Sequence, residues 1–450
     1  MLSIGPNAEA SMSLLEAQIE RRTMRQVAYR VLPLIFLLYL FCFLDRTNVS
    51  MAALKMNDDL HFNAGIFGFG AGVFFLGYSL FEVPSNLLLA RVGARRWIAR
   101  IALTWGTLAC LMMFVRTPAQ FYCVRFLLGV AEAGFFPGAV YYLSQWFPAA
   151  YRAQANARFM LALSASFVLG GPLGSALLNL NQVGHLAGWQ WLFLVEGLPP
   201  LVLGLITLHA LPDTPETSTW LAPEEQRWLI ARLSSEQPPE SPAHCSVLRV
   251  LGNRLVWLLI VPYFAYYTAS LAAVLWGPIW VRDAIGTSDT ATGLVIGSIH
   301  VLNAAIFLLI ARQSDRKAER CGPAALGLAL ACVGCLIGAG FQHSPVRVLA
   351  LVMLYGATPV FLAAFWCLPT KLLKGASAAA GIALINAVGA SGGFFGPTII
   401  GFAKQLTGND RGAFYTLAGL TFVGSLVCLA LRRKTIFKPV LSIRTEPVSS

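Results

Sequence analysis

Long apolar runs alternate along this chain with short polar breaks that carry most of the charge. The run from Val31 to Leu44 contains no Asp, Glu, Lys, Arg or His and shows no alternation of apolar and polar positions. A helix needs about 20 apolar residues to cross the hydrocarbon core of a bilayer. Runs of that length predict spans near 28–50, 64–89, 97–115, 120–145, 157–180, 190–211, 255–280, 292–311, 322–341, 347–369, 376–402 and 413–431. A transmembrane barrel would need strands of about 10 residues that alternate lipid-facing and lumen-facing positions. The pattern therefore predicts an all-α membrane protein with twelve transmembrane helices.

The spans fall into two sets of six. Between them lies the one long polar stretch, with Pro212, Pro215, Pro223, Pro238, Pro239 and Pro242 among Glu and Ser. This predicts a tail at 1–27, a six-helix bundle at 28–211, a linker at 212–254, a second bundle at 255–432 and a tail at 433–450. A short helix is expected near 224–233. A displacement of 225 residues carries Gly171-Pro172 onto Gly396-Pro397 and Arg91 onto Arg316. Two pseudo-symmetric halves are the arrangement of many secondary transporters, with the substrate site between them near the bilayer midplane.

Composition agrees with a lipid solvent. Hydrophobic residues make up 57% and charged residues 12% of the 450 positions, against about 25% charged in soluble domains. The net charge of +12 is spread over alternate loops, which does not suit nucleic-acid binding. Arg91, Arg95, Arg96 and Arg100, then Arg152 and Arg158, then Arg312, Arg316, Lys317 and Arg320, then Lys371 and Lys374 fall on one side. The other side carries Lys55, Arg116, Arg282, Arg347, Lys404 and Arg411. The positive-inside rule then predicts an inner-membrane protein with both termini cytoplasmic. The polar residues 1–26 read as a short cytoplasmic tail rather than a signal peptide.

Catalytic chemistry finds little purchase. There is no phosphate-binding glycine loop and no His-Glu-x-x-His pattern, and the six histidines are scattered. Cys332 and Cys335 lie inside an apolar span without a second ligand pair, so no metal site is expected. The chain reads as a non-enzyme without a cofactor.

Two loops carry a family resemblance. Ala90-Arg91-Val92-Gly93-Ala94-Arg95-Arg96 resembles the signature loop of the major facilitator superfamily, with Ala90 where that loop has an aspartate. Its second copy, Ser314-Asp315-Arg316-Lys317-Ala318-Glu319-Arg320, keeps the aspartate. Four further stretches are similar to the anion:cation symporter family within it. They are Phe43-Leu44-Asp45-Arg46-Thr47-Asn48-Val49-Ser50, Gly77-Tyr78 with Glu82-Val83-Pro84-Ser85-Asn86, Arg125 to Gly134, and Trp191 to Gly197. That branch includes tartrate, phthalate and sugar-acid transporters. The resemblance implies the major facilitator fold and proton-driven uptake of a carboxylate, a tartrate-like hydroxy-dicarboxylate being the first expectation. It also implies substrate contacts from Tyr78 and Asn386, with Trp366 as a candidate aromatic wall or a packed residue. Sodium stays open as an alternative coupling ion, and a monomer is expected.

Ionisable side chains inside membrane spans are costly and tend to be functional. Arg46 presents a planar two-donor fork suited to a carboxylate, and a direct pair with Asp45 is disfavoured because adjacent helix residues do not face each other. Asp45 and Glu132 are the candidate proton sites. Arg125, seven residues before Glu132, reads either as a mobile partner of these acids or as a fixed lock between spans one and four. Glu82, Arg91, Asp315 and Arg316 are expected at a gate or helix end. Gly171 and Pro172 belong to a Gly170-Gly171-Pro172-Leu173-Gly174 stretch that resembles a motif of exporters and reads as close packing and a kink. Two alternatives stand beside the symporter: a proton-driven exporter of amphipathic compounds, and a membrane sensor without transport.

The orientation is testable by labelling. A cysteine at Arg95 should react only with thiol reagents on the cytoplasmic side and one at Asn181 only from outside; reversed labelling refutes the assigned topology.

Overall fold

The computed structural model describes residues 6–236, 251–314, 321–342, 344–373 and 377–436. Every regular element among them is a helix. The first half comprises α1 (Pro6–Asp59), α2 (Ala64–Val92), α3 (Ala94–Leu111), α4 (Pro118–Glu132), α5 (Phe135–Ser144), α6 (Ala149–Leu178) and α7 (Gly188–Ala210), followed by α8 (Pro223–Ser235) in the linker. The second half comprises α9 (Arg254–Ile285), α10 (Asp289–Ser314), α11 (Cys321–Gly340), α12 (Val346–Phe365), α13 (Cys367–Leu372), α14 (Ser377–Ala390), α15 (Gly392–Thr407) and α16 (Arg411–Ile436). Twelve spans among the described residues are long and apolar enough to cross a membrane.

Local chemistry sets the helix ends that matter. Asn63 caps α2 by accepting from the Ile66 N–H at 2.9 Å. Thr117 and Gln120 form a reciprocal capping box at the start of α4, with Pro118 at its first position. A carboxamide in place of the usual Glu at the third position satisfies the same orphan donors. The predicted span at 120–145 is not continuous: it breaks after Glu132, where Gly134 adopts φ +85°. A Cβ there would also lie 2.5 Å from the Ser85 hydroxyl, so the break needs glycine both for conformation and for space. The predicted spans at 347–369 and 376–402 are likewise interrupted, at Trp366 and at Ser391.

Residues 6–27, expected as a polar tail, instead form the first turns of α1. Their Arg22 pairs with Glu225 of α8 at 3.0 Å, and Gln26 donates to the same carboxylate at 3.2 Å. The linker helix is thus held to the first half. Arg347, placed by the sequence among loop charges, is only 3% exposed. It pairs with Asp410 between the rings of Trp280 and Phe414, 5.3 and 5.1 Å away. A buried pair of this kind pins α12 to the start of α16 rather than advertising topology.

Glycines allow the close helix contacts. Within the first half, a Cβ at Gly129 of α4 would sit 2.0 Å from the Phe74 carbonyl of α2, and one at Gly77 2.4 Å from the Phe126 carbonyl. Between the halves, α6 meets α10 where a Cβ on Gly171 would lie 2.4 Å from the Gly293 carbonyl. Pro172 lies 3.0 Å from the position of a Cβ on Gly297. The second crossing joins α2 to α15, where a Cβ on Gly68 would lie 2.5 Å from the Pro397 carbonyl. Both members of the repeated Gly-Pro pair therefore lie at or beside contacts between halves.

Polar ties between halves cluster at the end away from the chain's first residues. Lys55 pairs with Asp289 at 3.2 Å, Asn179 donates to Thr290 at 3.0 Å, and Arg282 donates to the Leu54 carbonyl at 2.5 Å. At the opposite end the ion pairs among described residues, such as Arg95 with Asp213 and Arg152 with Glu236, stay within the first half and its linker. Among the described residues, these ties join the two halves at one end of the bundle.

Gly129→Ala should lower the melting temperature and the monodisperse yield in detergent, because the added methyl meets main chain and overpacking costs about 1–3 kcal/mol. A variant that melts with the parent would show that α2 and α4 can separate freely.

Candidate functional site

The tight α2–α4 contact places Arg125, one turn before Gly129, inside the first bundle. Arg125 is fully buried. Its guanidinium lies 4.8 Å from the Phe74 ring centre and donates to the Ala71 carbonyl at 3.4 Å. Its Nε and second terminal nitrogen have no hydrogen-bond partner among the described residues. Neither acid lies within ion-pair distance of it, so the expected Arg125–carboxylate pair is absent in this conformation.

Arg46 has a partner, and it is not Asp45. Its Nε pairs with Glu132 Oε1, joining the last third of α1 to the last residue of α4. Cys42, one turn before Arg46, donates its thiol to the same Glu132 oxygen at 2.9 Å. The Arg46 guanidinium also sits against aromatic rings, 4.6 Å from Tyr78, 4.8 Å from Phe43 and 5.6 Å from Phe74. Such faces stabilise a cation that has left water. Its side chain keeps 10% exposure while that of Glu132 keeps none. The fork is thus partly engaged and partly open.

Asp45 points to another face of α1. It accepts from Asn48 at 3.0 Å, and its second oxygen has no partner among the described residues. Glu196 of α7 is 1% exposed and lies near Asp45 and Asn48. Three carboxyl groups and two guanidinium groups therefore share the interior of one bundle. Cys42 and Asn48 are not among the sequence candidates. Spacing held the signal for both: Asn48 is three residues after Asp45 and Cys42 four before Arg46, positions that share a helix face.

The second half supplies an aromatic wall. Tyr267 of α9 lies within electrostatic range of Arg46. Tyr263 donates to Asn386 of α14 at 3.2 Å and lies 5.0 Å from the Trp366 ring and 5.2 Å from Phe365. Asn386 and Trp366 are thus neighbours through Tyr263, both half-buried. Tyr78 stands on the facing side, over Arg46.

Other sequence candidates lie elsewhere. Glu82, one turn beyond Tyr78, is half-buried and has no ion-pair partner among the described residues. Arg91 is exposed at the end of α2. Gly171 and Pro172 sit at the α6–α10 crossing. Asp315 and Arg316 lie outside the described residues.

Twelve apolar spans among the described residues, in two glycine-joined halves with charged groups buried inside the first, define a polytopic membrane transporter. Residues 35–397 match the model of the Major Facilitator Superfamily, and the chain belongs to that superfamily. It is 42% identical to a candidate tartrate transporter of Agrobacterium vitis over 93% of this chain and 96% of that protein. It is also 38% identical to a quinolone resistance transporter of Acinetobacter baumannii, over 91% of this chain and 94% of the relative. Among solved structures it resembles a bacterial homologue of the human lysosomal transporter Spinster in an inward-facing, unoccupied conformation. The TM-score is 0.71 and the identity 16%, covering 90% of this chain and 96% of that one.

The Arg46–Glu132 pair makes a stability prediction. Arg46→Ala should destabilise the protein, since it leaves Glu132 buried without its partner, at a cost of about 3–5 kcal/mol. Adding Glu132→Ala should restore most of the lost melting temperature. A double variant no more stable than the single one would refute the pair as the source.

Proposed function

We propose that this chain is a proton-coupled symporter that takes up a small organic anion, most simply a tartrate-like hydroxy-dicarboxylate, across the inner membrane by alternating access. The observation that carries the reading is the Arg46–Glu132 pair beside the open half of the Arg46 fork. Charge bookkeeping supports it: with all five groups ionised, Asp45, Glu132 and Glu196 outweigh Arg46 and Arg125 by one negative charge, and a single proton restores neutrality. A proton on Glu132 would weaken its hold on Arg46 and leave the guanidinium to a substrate carboxylate. Proton and anion would then replace one internal ion pair together, which is the logic of symport. Arg125, beside the same cluster, would steady the second carboxylate or the empty-carrier state. Tyr78, Tyr263, Asn386 and Trp366 would close around the rest of the substrate from both halves. The similarity to a candidate tartrate transporter supports the choice of anion.

A second reading is export of amphipathic compounds, supported by the similarity to a quinolone resistance transporter and by the aromatic wall of Tyr263, Phe365 and Trp366. It gives no role to two buried arginines, and the symporter reading accounts for both.

The test uses purified protein in liposomes with an imposed pH gradient and labelled carboxylates. Glu132→Gln and Asp45→Asn should each lose uphill accumulation, while Glu132→Gln should keep substrate counterflow because the amide mimics a protonated acid. Accumulation at the parent level by both variants would overturn the coupling scheme. Quinolone extrusion without carboxylate uptake by the parent would favour the exporter.

A further inference from the structure

A second basic site lies far from the central one. A cavity of about 560 Å³ opens between α1 and α6 near their first turns. Arg21, Arg25, Tyr29 and Pro33 line it from α1, and Tyr151 and Arg158 from α6. None of the three arginines has a hydrogen-bond or ion-pair partner among the described residues. Three acids at this end are engaged: Glu20 accepts from the Tyr151 hydroxyl at 2.8 Å, Glu225 holds Arg22, and Glu236 lies 3.7 Å from Arg152. Three unpaired guanidinium groups around one hollow attract an anion, and their planar donors suit phosphate oxygens.

The surroundings say which kind of anion. Above the arginines, Tyr29 is 72% and Leu37 38% exposed on one strip of α1, with Pro33 between them; Leu161 and Leu169 are 57% and 48% exposed on α6. These apolar side chains continue from the cavity into the length of the bundle that the bilayer covers. The residues of α1 that reach the Arg46–Glu132 pair, Cys42 and Arg46, lie on a different strip. From Arg25 to Arg46 the helix rises about 30 Å at 1.5 Å per residue, so the two sites are separate. Tyr29 stands where aromatic residues mark the membrane–water boundary, and basic hollows between helices at that level take lipid head groups.

We propose that this cavity binds the phosphate of an anionic phospholipid, with Arg21, Arg25 and Arg158 on the head group and the acyl chains along Tyr29, Pro33, Leu37 and Leu161. Occupancy would tie α1 to α6 at the level where the halves hold no ion pair to each other among the described residues.

Native mass spectrometry of the full-length chain tests this with phosphatidylglycerol, phosphatidylcholine and inorganic phosphate as probes. The parent should retain phosphatidylglycerol about tenfold better than phosphatidylcholine. Millimolar inorganic phosphate should leave the bound lipid in place. The triple variant Arg21→Gln, Arg25→Gln, Arg158→Gln should lose the preference, and the corresponding triple Lys variant should keep part of it. If the triple Gln variant is not monodisperse, Arg158→Gln alone is measured and should reduce the preference. Equal retention of the two lipids, or an undiminished preference in the Gln variants, overturns the proposal. Displacement of the lipid by inorganic phosphate also overturns it, assigning the arginines to a soluble anion.

Discussion

The organisation of the first bundle depends on one electrostatic constraint: Arg46 and Glu132 must stay together, or each must find a substitute, because neither is tolerated alone away from water. The pair draws α1 against the break that follows α4. The rings of Phe43, Phe74 and Tyr78 are arranged around the guanidinium, and the Cys42 thiol occupies the same carboxylate oxygen. Asp45, on the next position of α1, is turned toward Asn48 and α7, so one helix presents opposite charges to two different neighbours. The rest of the cluster follows from where these two side chains point.

Backbone approach is the second requirement. Glycines at Gly77 and Gly129 bring α2 and α4 to main-chain contact, and Gly68, Gly171, Gly293 and Gly297 do the same between the halves. In lipid, where apolar side chains gain little by meeting each other, such close packing supplies much of the association between helices.

The fold was legible because its solvent imposes it. Twelve apolar runs, one polar linker and a repeated Gly-Pro pair leave few alternatives for a chain that must satisfy its backbone within lipid. The site was legible in part. Asp45, Arg46, Arg125 and Glu132 stand out as charges in apolar surroundings, but sequence distance does not say who pairs with whom. Arg46 meets Glu132, 86 positions away, and Arg125 meets neither acid directly, because both outcomes depend on how α1, α2 and α4 cross. Tyr263 and Tyr267 carried no signal at all: a tyrosine in an apolar span looks the same whether it faces lipid, core or cavity. Arg347 misled for the converse reason, since a charge at a helix end reads as a loop residue until its buried partner Asp410 is seen.

If α1, with Pro33 inside it, tilts as one body, the tie between Arg282 and the Leu54 carbonyl is its natural fulcrum. Arg46 lies about 12 Å from that point along the helix axis and Arg22 about 48 Å. A tilt of about 10° around the fulcrum would shift Arg46 by only about 2 Å while swinging Arg22, and the linker helix clasped to it, through about 8 Å. Such gearing lets a carrier open a wide mouth at one end while hardly disturbing what it grips at the centre.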